Sequence, residues 1–167
     1  DRPVARMLTR AIAAGRFENG RRLLDSSSGN AGISYAMLGA ALGVPVTIVV
    51  PGNASQERLE RIRAHGAELV ITDPIEGYDF ALREANRLAA EYPERYWYCD
   101  QYSNEDNWRA HYEETAAEIL FQLSNVTGAT PDAFVAGVGT GGTLTGVGRR
   151  LREVRPDVRI VAAIPET

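Results

Sequence analysis

The sequence predicts an α/β fold in which parallel β-sheets are covered by helices on both faces. Short β-branched segments alternate with longer segments of helical apolar spacing along the whole chain, which is typical of βαβ units. The run 46–50 is apolar or β-branched at every position, as expected of a strand buried on both faces. The composition, 44% hydrophobic and 24% charged with a net charge of -4, is that of a globular protein.

The elements follow in order from apolar spacing and from glycines that end helices. In the first helix, Val4, Met7 and Leu8 have helical spacing and Gly15 is the expected stop. Helices are predicted at residues 4–14, 33–42, 57–65, 78–92, 107–123 and 144–154. Strands are predicted at residues 22–25, 46–50, 68–72, 96–99, 133–138 and 158–164. The spacing of Asn53 and Gln56 predicts a capping box ahead of the third helix.

Charge and composition argue against several classes of function. The chain has no basic surface that suggests nucleic-acid binding, and no apolar run of the roughly 20 residues that span a bilayer. All 18 basic residues are Arg, so the Walker A motif is absent and no lysine of this sequence can form a Schiff base. The single Cys99 fits a reducing, cytoplasmic compartment. His65 and His111 lack the spacing of metal ligands and are expected to be structural.

One loop of small polar residues, DSSSGNAG, follows the first predicted strand and precedes a helix. A simple helix cap needs one hydroxyl, whereas this loop has three serines, two glycines and Asn30. Its N–H groups and hydroxyls suit a carboxylate, and Asn30 can bond a neighbouring oxygen. An elaborate N-cap without a ligand is the alternative interpretation.

The second glycine-rich loop, GVGTGGT at residues 137–143, also connects a strand to a helix. Free N–H groups and the helix dipole favour an anion there, and Thr140 and Thr143 add hydroxyl donors. The glycines also match the dinucleotide pattern G-x-G-x-x-G, with Glu166 as a candidate ribose ligand. Two anion-binding loops at the carboxyl ends of strands together suggest a phosphorylated cofactor that carries an amino acid.

Three motifs resemble those of the cysteine synthase family, to which O-acetylserine sulfhydrylase belongs. The segment SSGNAG at 27–32 resembles the Thr-Ser-Gly-Asn-Thr-Gly loop of that family, and GTGGT at 139–143 matches its phosphate loop. The segment DQYSN at 100–104 resembles a third family motif. The resemblance implies the pyridoxal-phosphate (PLP) fold of tryptophan synthase β, called fold type II, with two subdomains. Residues 1–103 would belong to the smaller domain with the substrate-carboxylate loop, and residues 104–167 to the larger domain that binds the PLP phosphate.

The resemblance also implies roles for individual residues. The PLP phosphate would lie on Gly139, Thr140, Gly141, Gly142 and Thr143, and the 3′-oxygen of the ring on Asn30. The substrate carboxylate would be surrounded by Ser27, Ser28, Gly29, Asn30, Ala31 and Gln101. The Schiff-base lysine of the family directly precedes Asp-Arg-Pro, so it is expected just before Asp1. This chain is therefore expected to be the central segment of a longer protein, and the resemblance implies a homodimer.

The implied reaction is β-replacement on an activated serine, such as O-acetylserine, with sulfide to form L-cysteine. Ala31 replaces a Thr of the family and loses a hydroxyl near the carboxylate, which leaves the exact substrate open. Ser26 replaces the usual Pro, which predicts a less rigid loop. A cystathionine β-synthase-like or other serine-using PLP lyase is one alternative. A nucleotide-binding Rossmann-type domain, and a non-catalytic protein with the PLP fold, are the others.

Overall fold

The computed structural model describes residues 1–164, which form two compact units. The first unit comprises Asp1 and Pro3–Asp100, and the second comprises Arg2 and the residues from Gln101 onward. Both units contain parallel β-sheet, which confirms the α/β class. The assignment of residues 1–103 and 104–167 to a substrate domain and a phosphate domain remains a prediction. Every helix within residues 1–164 is too short or too polar to span a bilayer.

The first unit is a four-stranded parallel sheet with helices on both faces. Its strands, in the spatial order β3-β2-β1-β4, are β1 (Arg22–Ser26), β2 (Val46–Pro51), β3 (Glu68–Thr72) and β4 (Tyr96–Tyr98). Its helices are α1 (Arg2–Ala13), α2 (Asn30–Leu42), α3 (Gln56–Ala64) and α4 (Gly77–Glu91). A short 3-10 turn at Glu18–Gly20, which was not predicted, leads into β1.

Strand β2 shows why the sheet is covered on both sides. All six of its residues are buried. Val46, Ile48 and Val50 belong to a core cluster with residues of α1, α2 and α3. Val49 belongs to a second cluster with Ala81 of α4. Because successive side chains of a strand point to opposite faces, the continuous apolar run serves two cores at once.

The helix ends follow the glycine pattern, but one cap differs from its prediction. Gly43 ends α2 in the left-handed region with φ +70°, where glycine has no steric cost. The N-cap of α3 is Ser55 rather than Asn53, so the predicted capping box is wrong. Ser55 has an extended backbone, and the helix begins at Gln56, three residues beyond the expected cap.

The second unit contains a two-stranded parallel sheet and a long, interrupted helical rod. The strands are β5 (Ala133–Gly137) and β6 (Arg159–Ala163), and the helices are α5 (Glu105–Ala110), α6 (Ala116–Thr127) and α7 (Gly142–Val154). A π-helical segment, His111–Thr115, joins α5 to α6 where a single helix was predicted. Phe134 and Ile160 pack on α6 and α7, while Val135 and Val161 on the opposite face are exposed.

Candidate functional site

The serine loop, defined as residues 27–32, connects β1 to α2. Its first hydroxyl, that of Ser27, makes hydrogen bonds within the loop. Ser27 is buried, and its Oγ accepts hydrogen bonds from the backbone N–H of Gly32 (2.9 Å) and of Gly29 (3.2 Å). Ser27 therefore satisfies N–H groups at the start of α2 that would otherwise lack partners. Its role as a substrate contact remains a prediction.

The outer residues of the loop are more accessible. Asn30 is exposed and is the first residue of α2, at the positive end of the helix dipole. Ser28 and Ala31 are half-buried, and the Ser28 carbonyl accepts a hydrogen bond from Arg58 Nη1 at 3.1 Å. This arrangement leaves Asn30 as the loop side chain most open to a ligand.

The buried carboxylate of Asp25, near the end of β1, makes hydrogen bonds just before the serine loop. Asp25 is fully buried in β1, and its Oδ1 accepts from the Ser26 N–H at 2.8 Å while its Oδ2 accepts from the Tyr35 hydroxyl at 2.7 Å. Burial, and then the charge of Asp25, raise the pKa of Tyr35 well above its usual value, so Tyr35 remains a donor. Asp25 was not among the predicted site residues, although an acidic residue inside an apolar strand is a signal for such a network.

Ser26 is held by hydrogen bonds that a proline could not make in full. Its N–H donates to Asp25, and its Oγ lies 3.2 Å from the hydroxyl of Tyr78, which also donates to the Ser26 carbonyl at 3.2 Å. Proline has no N–H and no hydroxyl. These bonds restrain the loop where the family resemblance has a rigid proline ring.

The glycine loop at residues 139–143 has the geometry of an anion site. It ends β5 and opens α7, a helix of 13 residues. Gly141 is the N-cap with φ +80°, and a side chain at Gly139 or Gly141 would meet no atom within 4 Å. The donors are backbone N–H groups and the hydroxyls of Thr140 and Thr143, with no acidic side chain in the loop. This donor set fits a phosphate group.

Asn107 ties the glycine loop to the segment that begins at Gln101. The Asn107 side chain is buried, and its Nδ2 donates to the Gln101 carbonyl at 2.7 Å and to Thr140 Oγ1 at 2.9 Å. A Cβ atom at Gly142 would collide with Asn107 Oδ1. The glycine is therefore required for close packing as well as for the loop. Gln101 itself is buried, and its predicted contact with substrate remains a prediction.

His111 also contacts the glycine loop. Its Nε2 lies 3.2 Å from Thr143 Oγ1, and its Nδ1 lies 3.0 Å from Thr115 Oγ1. Burial, and then the charge of Arg2, lower the pKa of His111 below its usual value. His111 was predicted to be structural, and Asn107 was not among the predicted site residues. Their spacing of four residues places both on one helix face, which was the available signal.

Two features bear on the other interpretations of the sequence. Glu166, the candidate ribose ligand, lies outside the described residues. Within residues 1–164, no group of three or more His, Cys, Asp or Glu side chains is arranged to hold a metal ion.

Comparison with known proteins gives one family for the whole chain. Residues 1–167 match the family described as "Pyridoxal-phosphate dependent enzyme". A cysteine synthase of Aquifex aeolicus is 46% identical over 165 residues, which are 99% of this chain and 49% of that protein. The chain thus spans about half the length of the curated relatives it matches.

Solved structures agree with this result. Cysteine synthase from Entamoeba histolytica matches with a TM-score of 0.84 and 35% identity, over 96% of this chain and 46% of the other. A hydrogen sulfide-producing enzyme from Fusobacterium nucleatum matches with a TM-score of 0.88 and 33% identity, over 96% and 48% of the two chains. The fold is that of fold type II PLP enzymes, and the nucleotide-binding interpretation is not favoured. The chain belongs to the family of pyridoxal-phosphate dependent enzymes.

Proposed function

We propose that the protein containing this chain is a PLP-dependent cysteine synthase, which replaces the β-substituent of an activated serine with sulfide to form L-cysteine. The observation that carries the proposal is the match of the entire chain to a PLP family in which the 46% identical relative is a cysteine synthase. The glycine loop supports it, because its neutral donors at the start of α7 suit the phosphate of PLP.

Bound PLP would withdraw electrons from the α-carbon of an amino acid. The residues Gly139, Thr140, Gly141, Gly142 and Thr143 would hold its phosphate, and the exposed amide of Asn30 would bond the 3′-oxygen of its ring. Asn107 would fix Thr140, because it donates to the Thr140 hydroxyl from a buried position. The orientation of that hydroxyl would then be set before the cofactor binds.

The serine loop would bind the substrate carboxylate. Ser27, Ser28, Gly29, Asn30 and Ala31 are the proposed contacts in the first unit, and Gln101 is the proposed contact in the second. The start of α2 favours a negative charge, and the buried Asp25 network restrains the backbone just before the loop. The substrate would therefore meet an ordered set of donors.

The substrate and the assembly belong to the same proposal. O-acetylserine is the proposed substrate. The alternative is a serine-using or sulfide-releasing PLP enzyme, which the cysteine synthase relatives do not favour, although the chain is also similar to a hydrogen sulfide-producing enzyme. We propose residues 1–103 as part of the substrate domain and residues 104–167 as part of the phosphate domain. A cytoplasmic homodimer is proposed, and the buried Cys99, whose sulfur is in no disulfide, fits a reducing compartment.

The first experiment uses the full-length protein. It is reduced with borohydride and digested with trypsin, and peptides that contain Asp1–Arg6 are examined by mass spectrometry. A pyridoxyl-lysine directly before Asp1 is expected, and an unmodified lysine or another residue there would contradict the proposal. Formation of cysteine from sulfide and O-acetylserine, compared with O-phosphoserine and serine, then identifies the substrate. Sulfide release from cysteine without synthesis would favour the alternative.

A further inference from the structure

A chain of four side chains in the second unit leads from Arg2 to the glycine loop. Arg2 Nη1 donates to Thr115 Oγ1 at 2.8 Å. Thr115 Oγ1 lies 3.0 Å from His111 Nδ1, and His111 Nε2 lies 3.2 Å from Thr143 Oγ1. Thr115 and His111 are the two ends of the π-helical segment, and Thr143 is the second residue of α7. Single-turn π segments frequently occur at functional sites.

Arg2 is fixed at the outer end of this chain. Its Nη2 donates to both carboxylate oxygens of Glu118, at 2.9 and 2.8 Å, and its Nε lies 3.5 Å from Glu114. A guanidinium has donors and no acceptor. The Thr115 oxygen is therefore the acceptor in its bond with Arg2, and the direction of the first hydrogen bond is determined.

The direction of the bond between Thr115 and His111 follows from whether the hydroxyl proton of Thr115 has an acceptor. Among residues 1–164, the Thr115 hydroxyl has two hydrogen-bond partners, Arg2 and His111. If His111 Nδ1 carried the proton, the Thr115 oxygen would accept both bonds, and the Thr115 hydroxyl proton would have no acceptor among these residues. The arrangement in which every donor has an acceptor therefore has Thr115 donating to His111 Nδ1. Burial and Arg2 lower the pKa of His111, which keeps the ring neutral near neutral pH. A neutral ring whose Nδ1 accepts has its proton on Nε2.

The tautomer of His111 determines whether the Thr143 hydroxyl can donate a hydrogen bond to a ligand. With the proton on Nε2, His111 donates to the Thr143 oxygen, and the Thr143 proton can point to an anion. With the proton on Nδ1, Thr143 would donate to His111 and turn a lone pair toward the loop. A fully ionised phosphate has hydrogen-bond acceptors and no donors. The first arrangement therefore attracts a phosphate, and the second repels it.

We propose that Arg2 and Thr115 hold His111 in its Nε2–H tautomer, so that the hydroxyl of Thr143 donates a hydrogen bond to the phosphate of the cofactor. Arg2, Thr115 and His111 are thus positioning residues, and Thr143 is the residue that contacts the phosphate. This inference rests on the proposed function, because it takes the anion on the glycine loop to be the PLP phosphate.

The test compares Thr115→Val, which removes the hydroxyl and keeps the shape, with Thr115→Ser, which restores a hydroxyl. Thr127→Val is the matched control, because the Thr127 hydroxyl donates to the Leu123 carbonyl on the same helical rod. The full-length protein with ¹⁵N-labelled histidine is studied by long-range proton–nitrogen NMR, and His111→Gln assigns the signals. The wild type, Thr115→Ser and Thr127→Val should show protonated Nε2, and Thr115→Val should gain protonated Nδ1.

Cofactor affinity is the second readout. Thr115→Val should weaken PLP binding about tenfold or more, because the charged phosphate would lose one hydrogen bond. The affinity for pyridoxal, which lacks the phosphate, should not change. Protonated Nδ1 in the wild type, an unchanged tautomer or PLP affinity in Thr115→Val, or equal losses for PLP and pyridoxal would each overturn the inference. If wild-type protein binds no PLP at all, the proposed function itself fails.

Discussion

Replacing Gly146 by alanine tests how closely α7 packs on the π-helical segment. The new Cβ would lie 2.8 Å from both the Tyr112 backbone nitrogen and His111 Cβ, and would also collide with the Trp108 carbonyl oxygen. Because normal contacts of carbon are about 3.5 Å, α7 and the segment must separate by roughly 0.7 Å or more. Two of the three clashing atoms belong to the backbone, so no change of rotamer relieves them.

The expected cost follows from two opposing contributions. Overpacking costs about 1–3 kcal/mol, and the rigid backbone here favours the upper end. Alanine in a helix interior is more favourable than glycine by about 1 kcal/mol. Gly146→Ala should therefore destabilise the protein by about 2 kcal/mol, which corresponds to a fall of about 3 °C in the thermal midpoint of a full-length protein of the length of its relatives. Separation of the segment from α7 should also weaken PLP binding, since His111 would leave Thr143.

Gly148→Ala is the matched control, two residues further along α7. Its Cβ would meet only side-chain atoms of Ile160, at 3.3–3.5 Å, which can yield by a few tenths of an ångström. The same gain in helix propensity applies, so Gly148→Ala should leave the midpoint unchanged or raise it slightly. Thermal unfolding of the full-length variants, followed by circular dichroism, measures the difference. Equal midpoints for the two variants would refute the packing argument.

Four further outcomes are expected. Asn30→Ala should slow turnover and shift the absorbance spectrum of bound PLP, and an unchanged spectrum would count against its bond to the ring. Gln101→Ala should raise the KM for the amino-acid substrate and spare PLP affinity; the reverse pattern would contradict its assignment. Tyr35→Phe should lower the free energy of unfolding by about 1.5–3 kcal/mol, because the buried Asp25 carboxylate loses a donor; a loss under 0.5 kcal/mol in urea titrations would show that bond to be unimportant. Because burial lowers the pKa of His111, the unfolded state binds a proton first as the pH falls below about 6.5, and stability should decrease there; this part of the decrease should be absent in His111→Gln.

The alternation of strands and helices was predictable because it depends on local spacing. The strand at residues 68–72 was predicted with its bounds, and Gly43 and Gly66 end helices in the left-handed region as expected. The π-helical segment was not predictable in this way. Its sequence has ordinary helical spacing, and the extra residue is accommodated by tertiary packing against α7.

The candidate site also has parts that local sequence predicts and parts that only tertiary contacts bring together. Glycines and hydroxyl residues between a strand and a helix are local signals, so both loops were found from the sequence. Asn107 lies 33 residues from Thr140, and His111 lies 32 residues from Thr143, so their own four-residue spacing does not identify these partners. Asp25 has a local signal, as an acidic residue in an apolar strand, but its partner Tyr35 is brought to it only by tertiary packing.

The π-helical segment has a consequence for how this part of the chain can change by mutation. Each residue added to or removed from an α-helix rotates everything beyond it by about 100°. The extra residue in His111–Thr115 lets Asn107 face the glycine loop while Ala116 faces the core of the second unit. A one-residue deletion here would restore regular helical hydrogen bonds and yet turn one of these faces away. The length of this segment is therefore what insertions and deletions cannot alter without loss of the site.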